Sequence, residues 1–175
     1  RRQRQMCIRD SSMARLLTSL TGALLAGAAG PLGTPAARPV LTVAGKIKVF
    51  NDGDLARLDR PMLEALGMSS IVTQTPWYEQ PVRFEGVPMA KLLEELGAFG
   101  TTVQAVALNE YTTELPVEDF SRFGTLLAFK RDGNYMPVSD KGPFFIVYPY
   151  DSNPDLRAQR YYGRSAWQVT RLIVK

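Results

Sequence analysis

The chain has 175 residues and a mass of 19.4 kDa, with 45% hydrophobic and 22% charged residues, which suits one globular domain and excludes a disordered or collagen-like chain. It has no histidine and one cysteine, Cys7, so a Ser-His-Asp triad, a Cys-His pair, a clustered zinc site and an internal disulfide are all excluded. The net charge of +4 is an end effect: Arg1, Arg2, Arg4, Arg9 and Arg15 face only Asp10, and the balanced remainder has no field that would track nucleic-acid phosphates.

Residues 1–12 (RRQRQMCIRDSS) fit no folding or targeting pattern and are read as a non-native extension, Cys7 included. Residues 13–37 carry a positive charge at Arg15, an apolar stretch from Leu16 to Ala29 and a small-residue exit, the tripartite pattern of a secretory signal peptide. The apolar stretch is shorter than the roughly 20 residues a membrane-spanning helix needs. Thr34-Pro35-Ala36 offers small residues where a signal peptidase reads them, so cleavage is expected near Ala36 or Ala37. Ala26-Gly27-Ala28 is an earlier site, and an uncleaved anchor is the alternative. Residues 38–175 remain as one cysteine-free domain, expected to be exported and to have no membrane span after cleavage.

Within that domain Leu41 to Phe50 alternates well enough for a strand and ends in an Asn51-Asp52-Gly53 turn. Asp59 caps a short helix with Pro61 in its first turn and Gly67 beyond its end. Ser70–Thr75 and Val82–Glu85 read as strands. Pro88 opens a second helix, Met89 to Leu96, with Met89, Leu92, Leu93 and Leu96 on one face. Strands follow at Thr102–Leu108 and Tyr111–Leu115, then a helical turn at Pro116–Phe120 and a strand at Thr125–Lys130. Arg131-Asp132-Gly133-Asn134 is a hairpin turn, and Phe144–Tyr148 and Gln168–Val174 complete the sheet. Strands outnumber helices and no βαβ unit recurs, so the fold class is α+β, a mixed β core with short peripheral helices.

No glycine-rich phosphate loop is present, and the paired acids Glu94-Glu95 and Glu118-Asp119 read as solvated faces. Polar and aromatic clusters gather at strand ends instead, around Trp77-Tyr78, Asn109 to Tyr111, Lys141, Tyr148 to Asp151 and Arg160 to Trp167. Converging, they would form a pocket with stacking surfaces, amides and cations for a planar, polyanionic or polar ligand. Otherwise Trp77, Tyr148 and Trp167 close the ends of the core and the loops are ordinary connections.

Five segments in order carry a resemblance: Phe84-Glu-Gly-Val-Pro-Met-Ala-Lys-Leu-Leu93, Ala107-Leu-Asn-Glu-Tyr111, Leu126-Leu-Ala-Phe-Lys-Arg-Asp-Gly133, Lys141-Gly-Pro-Phe-Phe-Ile-Val-Tyr-Pro149 and Trp167-Gln-Val-Thr-Arg-Leu-Ile-Val174. Across most of Val40 to Val174 the chain resembles the molybdopterin-binding domain of the sulfite oxidase family, and its short exported bacterial members above all. The resemblance implies a mixed sheet and barrel-like core whose loops hold a pterin cofactor, a cysteine thiolate on molybdenum, and basic side chains on the pterin phosphate. It places the protein in the bacterial envelope, periplasmic or secreted.

The chain departs from that pattern at the chemistry. The Thr73–Pro76 loop, where the resemblance puts the thiolate, has no cysteine. Phe145 and Ala166 stand where the family carries basic residues, and Lys141 and Arg164 are the nearest cations left. A hydroxyl or amide is a poor substitute for a soft thiolate, so oxo-transfer catalysis and a bound molybdopterin are not expected. Two readings remain: a non-catalytic module binding a small molecule or an envelope protein, and a molybdopterin oxidoreductase with an atypical metal environment lacking protein thiolate. For the first, Trp77 and Tyr78 would form a stacking wall, Asn109 and Tyr111 hydrogen-bonding groups on the floor, Lys141 and Arg164 anion contacts, and Asp151 a rim acid.

Overall fold

The computed structural model describes residues 32–175; the 1–12 extension and most of the signal-like segment lie outside the described residues. The described chain forms a sheet-dominated α+β fold. One five-stranded sheet holds β1 (Leu41–Gly45), β2 (Ala56–Leu58), β5 (Thr102–Ala107), β6 (Thr112–Pro116) and β10 (Val169–Val174), in the order β2-β1-β10-β5-β6. Its β1–β10 pair is parallel and the other pairs are antiparallel.

The second sheet orders β3 (Ser69–Thr73), β4 (Val82–Pro88), β7 (Leu126–Arg131) and β8 (Asn134–Tyr135), with β9 (Phe145–Val147) also paired to β7. An isolated bridge between Phe144 and Val169 joins the start of β9 to the start of β10 and so links the two sheets. The segment between those elements, residues 148–168, is thereby anchored at both ends beside the β5–β6 hairpin.

The expected strand over 41–50 stops at Gly45. Its φ is +90°, and a Cβ there would lie 2.1 Å from the Val174 carbonyl oxygen, so the chain turns where only glycine fits. The expected helices form as α1 (Arg60–Ala65) and α2 (Met89–Glu95). In α1 the Asp59 carboxylate accepts the Met62 N–H at 2.9 Å, supplying the cap the sequence advertised. In α2 Met89, Leu92 and Leu93 are buried while Lys91 and Glu94 face solvent.

Two more helices lie on the chain, α3 (Glu118–Phe123) and α4 (Gln159–Arg164). The sequence Gln-Arg-Tyr-Tyr-Gly-Arg gives α4 weak propensity, and its cap, Ala158, supplies no side-chain bond. It is held from outside. Tyr161 is buried with its ring 5.5 Å from Phe123 and 5.4 Å from Tyr148, and Thr113 of β6 donates its hydroxyl to the Gly163 carbonyl.

The core lies where β4, β7 and β9 meet the first sheet. All of Leu126 to Phe129 is buried, as expected for a central strand covered on both faces, and Phe84, Phe144, Phe145 and Ile146 fill the space beside it.

Candidate functional site

A cavity of about 500 Å³ opens where the Pro76–Trp77 loop, the β5–β6 hairpin turn, α4 and the Ser165–Gln168 segment come together. Its deep side is made of Trp77, Ala107, Ser165 and Ala166, and its rim of Asn109, Tyr111, Gln159 and Trp167.

Trp77 organises the aromatic wall. Its ring stands edge-to-face against Phe145 at 5.4 Å, Trp167 at 5.6 Å, Tyr162 at 5.8 Å and Tyr150 at 6.2 Å. These perpendicular contacts fix the indole by complementary edge and face charge. The loop carrying it is drawn tight by Gln74, whose side-chain amide donates to the Tyr78 carbonyl at 2.9 Å. Behind the wall, Tyr150 and Ser165 bond through their hydroxyls, and Ser165 donates to the Tyr161 carbonyl. Burial pushes the Tyr150 phenol well above its ordinary value, so it stays a neutral prop.

Two amides present polar atoms with a defined orientation. Asn109 sits at the hairpin tip, where its Oδ1 accepts the Tyr111 N–H at 3.2 Å; its Nδ2 has no partner among the described residues. Gln168 donates Nε2 to the Val138 carbonyl at 2.8 Å, which leaves its Oε1 as a spare acceptor. Backbone partners thus decide which end of each amide is which.

Of the residues expected at the site, the structure brings Trp77, Asn109 and Tyr111 to this cavity and takes the other four elsewhere. Tyr78 turns away from Trp77 and donates its hydroxyl to Asp140 at 2.9 Å, with the Arg131 guanidinium 5.0 Å from its ring. Burial and that bond push its phenol up to about 12. Arg131 pairs with the same Asp140 at 2.6 Å.

Lys141 lies over the Trp167 face with Nζ 4.2 Å from the ring centroid, and within 6.0 Å of Tyr78 and Phe145. Burial pulls its ammonium below the ordinary lysine value, partly offset by Asp140. Arg164, expected as an anion contact, is already neutralised: it pairs with buried Asp119 at 2.7 Å, and the same carboxylate oxygen accepts the Tyr148 hydroxyl at 2.8 Å. Asp151, expected as a rim acid, ties loops together. It accepts the Gln74 N–H at 2.8 Å, and Arg157 pairs with it at 2.7 Å.

The cavity also recruits Tyr162 and Trp167, which lie in the Arg160 to Trp167 cluster but were not among the expected contacts, and Gln159 and Gln168, which lie outside every cluster. The adjacent tyrosines Tyr161 and Tyr162 were the available signal, since consecutive residues on a helix point one into the core and one beside it.

A molybdopterin group, implied by the sequence resemblance, does not fit these residues. It asks for a thiolate and for cations about a phosphate. The described residues contain no cysteine and no histidine, and among them no group of three or more acidic residues could hold a metal ion. The cavity lining carries no charged side chain. Phe145 is packed against Trp77, Ala166 forms part of the wall, Arg164 is paired with Asp119, and Lys141 sits outside the lining over the Trp167 face.

No protein-family model and no curated protein matches the chain. Among solved structures it is similar to a chain of the sulfane dehydrogenase SoxCD from Paracoccus pantotrophus, with a TM-score of 0.53 and 16% sequence identity. The likeness covers 77% of this chain and 37% of that one, so the chain spans little more than a third of that protein's length. What the likeness establishes is a distant relationship of fold with that dehydrogenase.

Proposed function

We propose that the protein is a binding module that takes an uncharged, planar, amide-bearing ring into the Trp77 cavity and performs no oxo transfer there. The observation that carries this reading is the lining itself: aromatic rings, oriented amides and no charged side chain. A ring packed in the cavity against Trp77 and Trp167 gains apolar burial and ring contacts, while a lactam edge offers a carbonyl to Asn109 Nδ2 and an N–H to Gln168 Oε1. A phosphate meets no cation in the lining itself. The sequence resemblance to the sulfite oxidase family and the distant fold likeness to a dehydrogenase support descent from an oxidoreductase scaffold, and the donor set supports a change of use.

Both tryptophans of the chain line the cavity, so their fluorescence reports its occupancy. Titration with lumichrome and riboflavin is expected to quench it, Trp77→Ala to abolish the effect, and Gln168→Leu to weaken binding by about 1 kcal/mol. Flavin mononucleotide is expected to bind no tighter than riboflavin. Tighter, salt-sensitive binding of the phosphate would remove the uncharged-ligand reading. Stoichiometric molybdenum and pterin in protein from a molybdenum-replete host would replace it with the oxidoreductase alternative.

A further inference from the structure

Far from the cavity, Asp59 is fully buried and carries a charge with no ionic partner: no lysine or arginine among the described residues comes within 4.0 Å of its carboxylate. One oxygen caps α1 and the other accepts the backbone N–H of Ala37 at 2.8 Å. Burial alone would raise this carboxyl, but the surrounding backbone N–H donors prevail and hold it below its ordinary value. Ala36 and Ala37 are themselves exposed, so the bond between them is open to a peptidase while the nitrogen of Ala37 points inward.

We propose that the chain is processed between Ala36 and Ala37, and that the new α-ammonium of Ala37 docks on Asp59 as its counter-ion. In the cleavage, an endopeptidase of the signal type adds water across the amide. The hydroxyl goes to the Ala36 carbonyl carbon and the proton to the Ala37 nitrogen, which then takes a further proton from solvent at neutral pH. A neutral donor already 2.8 Å from a buried carboxylate thus becomes a charged one with no rearrangement. Thr34 and Ala36 supply small residues at the two positions such an enzyme reads. Cleavage gives up the bond from Asn51 Nδ2 to the Gly33 carbonyl, the Leu32 packing on the core and the Ala36 N–H at Asp59, a donor the new ammonium replaces with its own extra N–H groups; Asn51 keeps its bonds to both backbone groups of Arg57.

The pair has a defined pH signature. A free α-amino group titrates near 8, and a carboxylate partner raises that value in the folded chain. Stability from the pair is therefore complete below about pH 8 and is lost as pH rises through the raised folded value. The charged groups about this corner are Arg38, Arg60, Glu64, Lys91 and Glu95; Arg60 lies over the Tyr135 ring, and Glu64 accepts the Tyr135 hydroxyl. The bond to Glu64 raises the Tyr135 phenol, so it keeps its proton through this window, and Asp59→Asn separates the α-amine from the unfolded-state tyrosines, which begin to ionise towards about pH 10.

The test starts with the full chain exported from a Gram-negative host and the mass of its mature N-terminal peptide. Ala37 is the expected first residue; cleavage elsewhere, or none, overturns the proposal. In the processed protein the thermal midpoint is expected to fall by about 4 °C between pH 7 and pH 9.5, and Asp59→Asn to flatten that fall. A second measurement needs no variant. The rate of reductive methylation of the α-amine is followed against pH, and a midpoint above about 9 supports docking whereas one near 8 overturns it.

Discussion

Arg164 illustrates how a side chain's meaning depends on what lies opposite. In sequence it stands in a basic aromatic stretch, as an anion contact would. In the fold it closes a buried triad with Asp119 and Tyr148, whose phenol is pushed well above its ordinary value by burial and by the bond to Asp119. Replacing it with methionine leaves the Asp119 charge, 6% exposed, without its cation. The expected cost is about 3 kcal/mol, read as a drop in the urea midpoint, with some of it recovered when Asp119→Asn is added. Trp77 and Asn109, by contrast, were legible from sequence as strand-end polar and aromatic residues, because no core strand or helix face accounted for them.

Elements followed the sequence where their signals were local. Asp59 with Pro61 marked α1, and Pro88 with the Met89, Leu92 and Leu93 stripe marked α2. The strand β2 and helix α4 escaped because three residues carry no period and Tyr-Tyr-Gly carries no propensity; pairing with β1 and packing on Tyr148 make them. Within α4, Gly163 leaves open space where a Cβ would go and its φ is not in the left-handed region. Gly163→Ala is expected to stabilise the protein by about 0.5–1 kcal/mol, measured by thermal unfolding. Gly86 is its opposite. A Cβ there would lie 2.0 Å from the Leu127 carbonyl oxygen, at the register shift between β4 and β7. Gly86→Ala must push these central strands apart and is expected to cost about 2–3 kcal/mol in the same assay.

Across the whole molecule, the buried phenols tie stability to alkaline pH. Tyr78, Tyr148 and Tyr150 all hold their protons above the value of an unfolded tyrosine, chiefly through burial. From about pH 10 the unfolded chain loses these protons while the folded chain keeps them, so stability falls as pH rises. A raised phenol pKa means the folded chain binds more protons than the unfolded one above about pH 10, and the stability present below that pH is lost as the unfolded chain ionises. Lys141, shifted down, works in the other direction, but it is one group against four, since the bond to Glu64 raises the Tyr135 phenol as well. Denaturant midpoints between pH 9 and 11.5 are expected to decline steeply, and Tyr78→Phe to make the decline shallower, since phenylalanine has no proton to lose in either state.

The sequence by itself settled the α+β class, the two capped helices, the balanced charge of the body and the want of thiolate and imidazole, because composition and short-range periodicity are properties of the chain alone. The partnerships were decided in three dimensions. Whether a cation is free or spent, which end of an amide faces a cavity, and which backbone nitrogen meets a buried carboxylate depend on residues far apart in the chain. Asp119 and Arg164 are separated by 45 positions and Ala37 and Asp59 by 22, and no local pattern encodes either meeting.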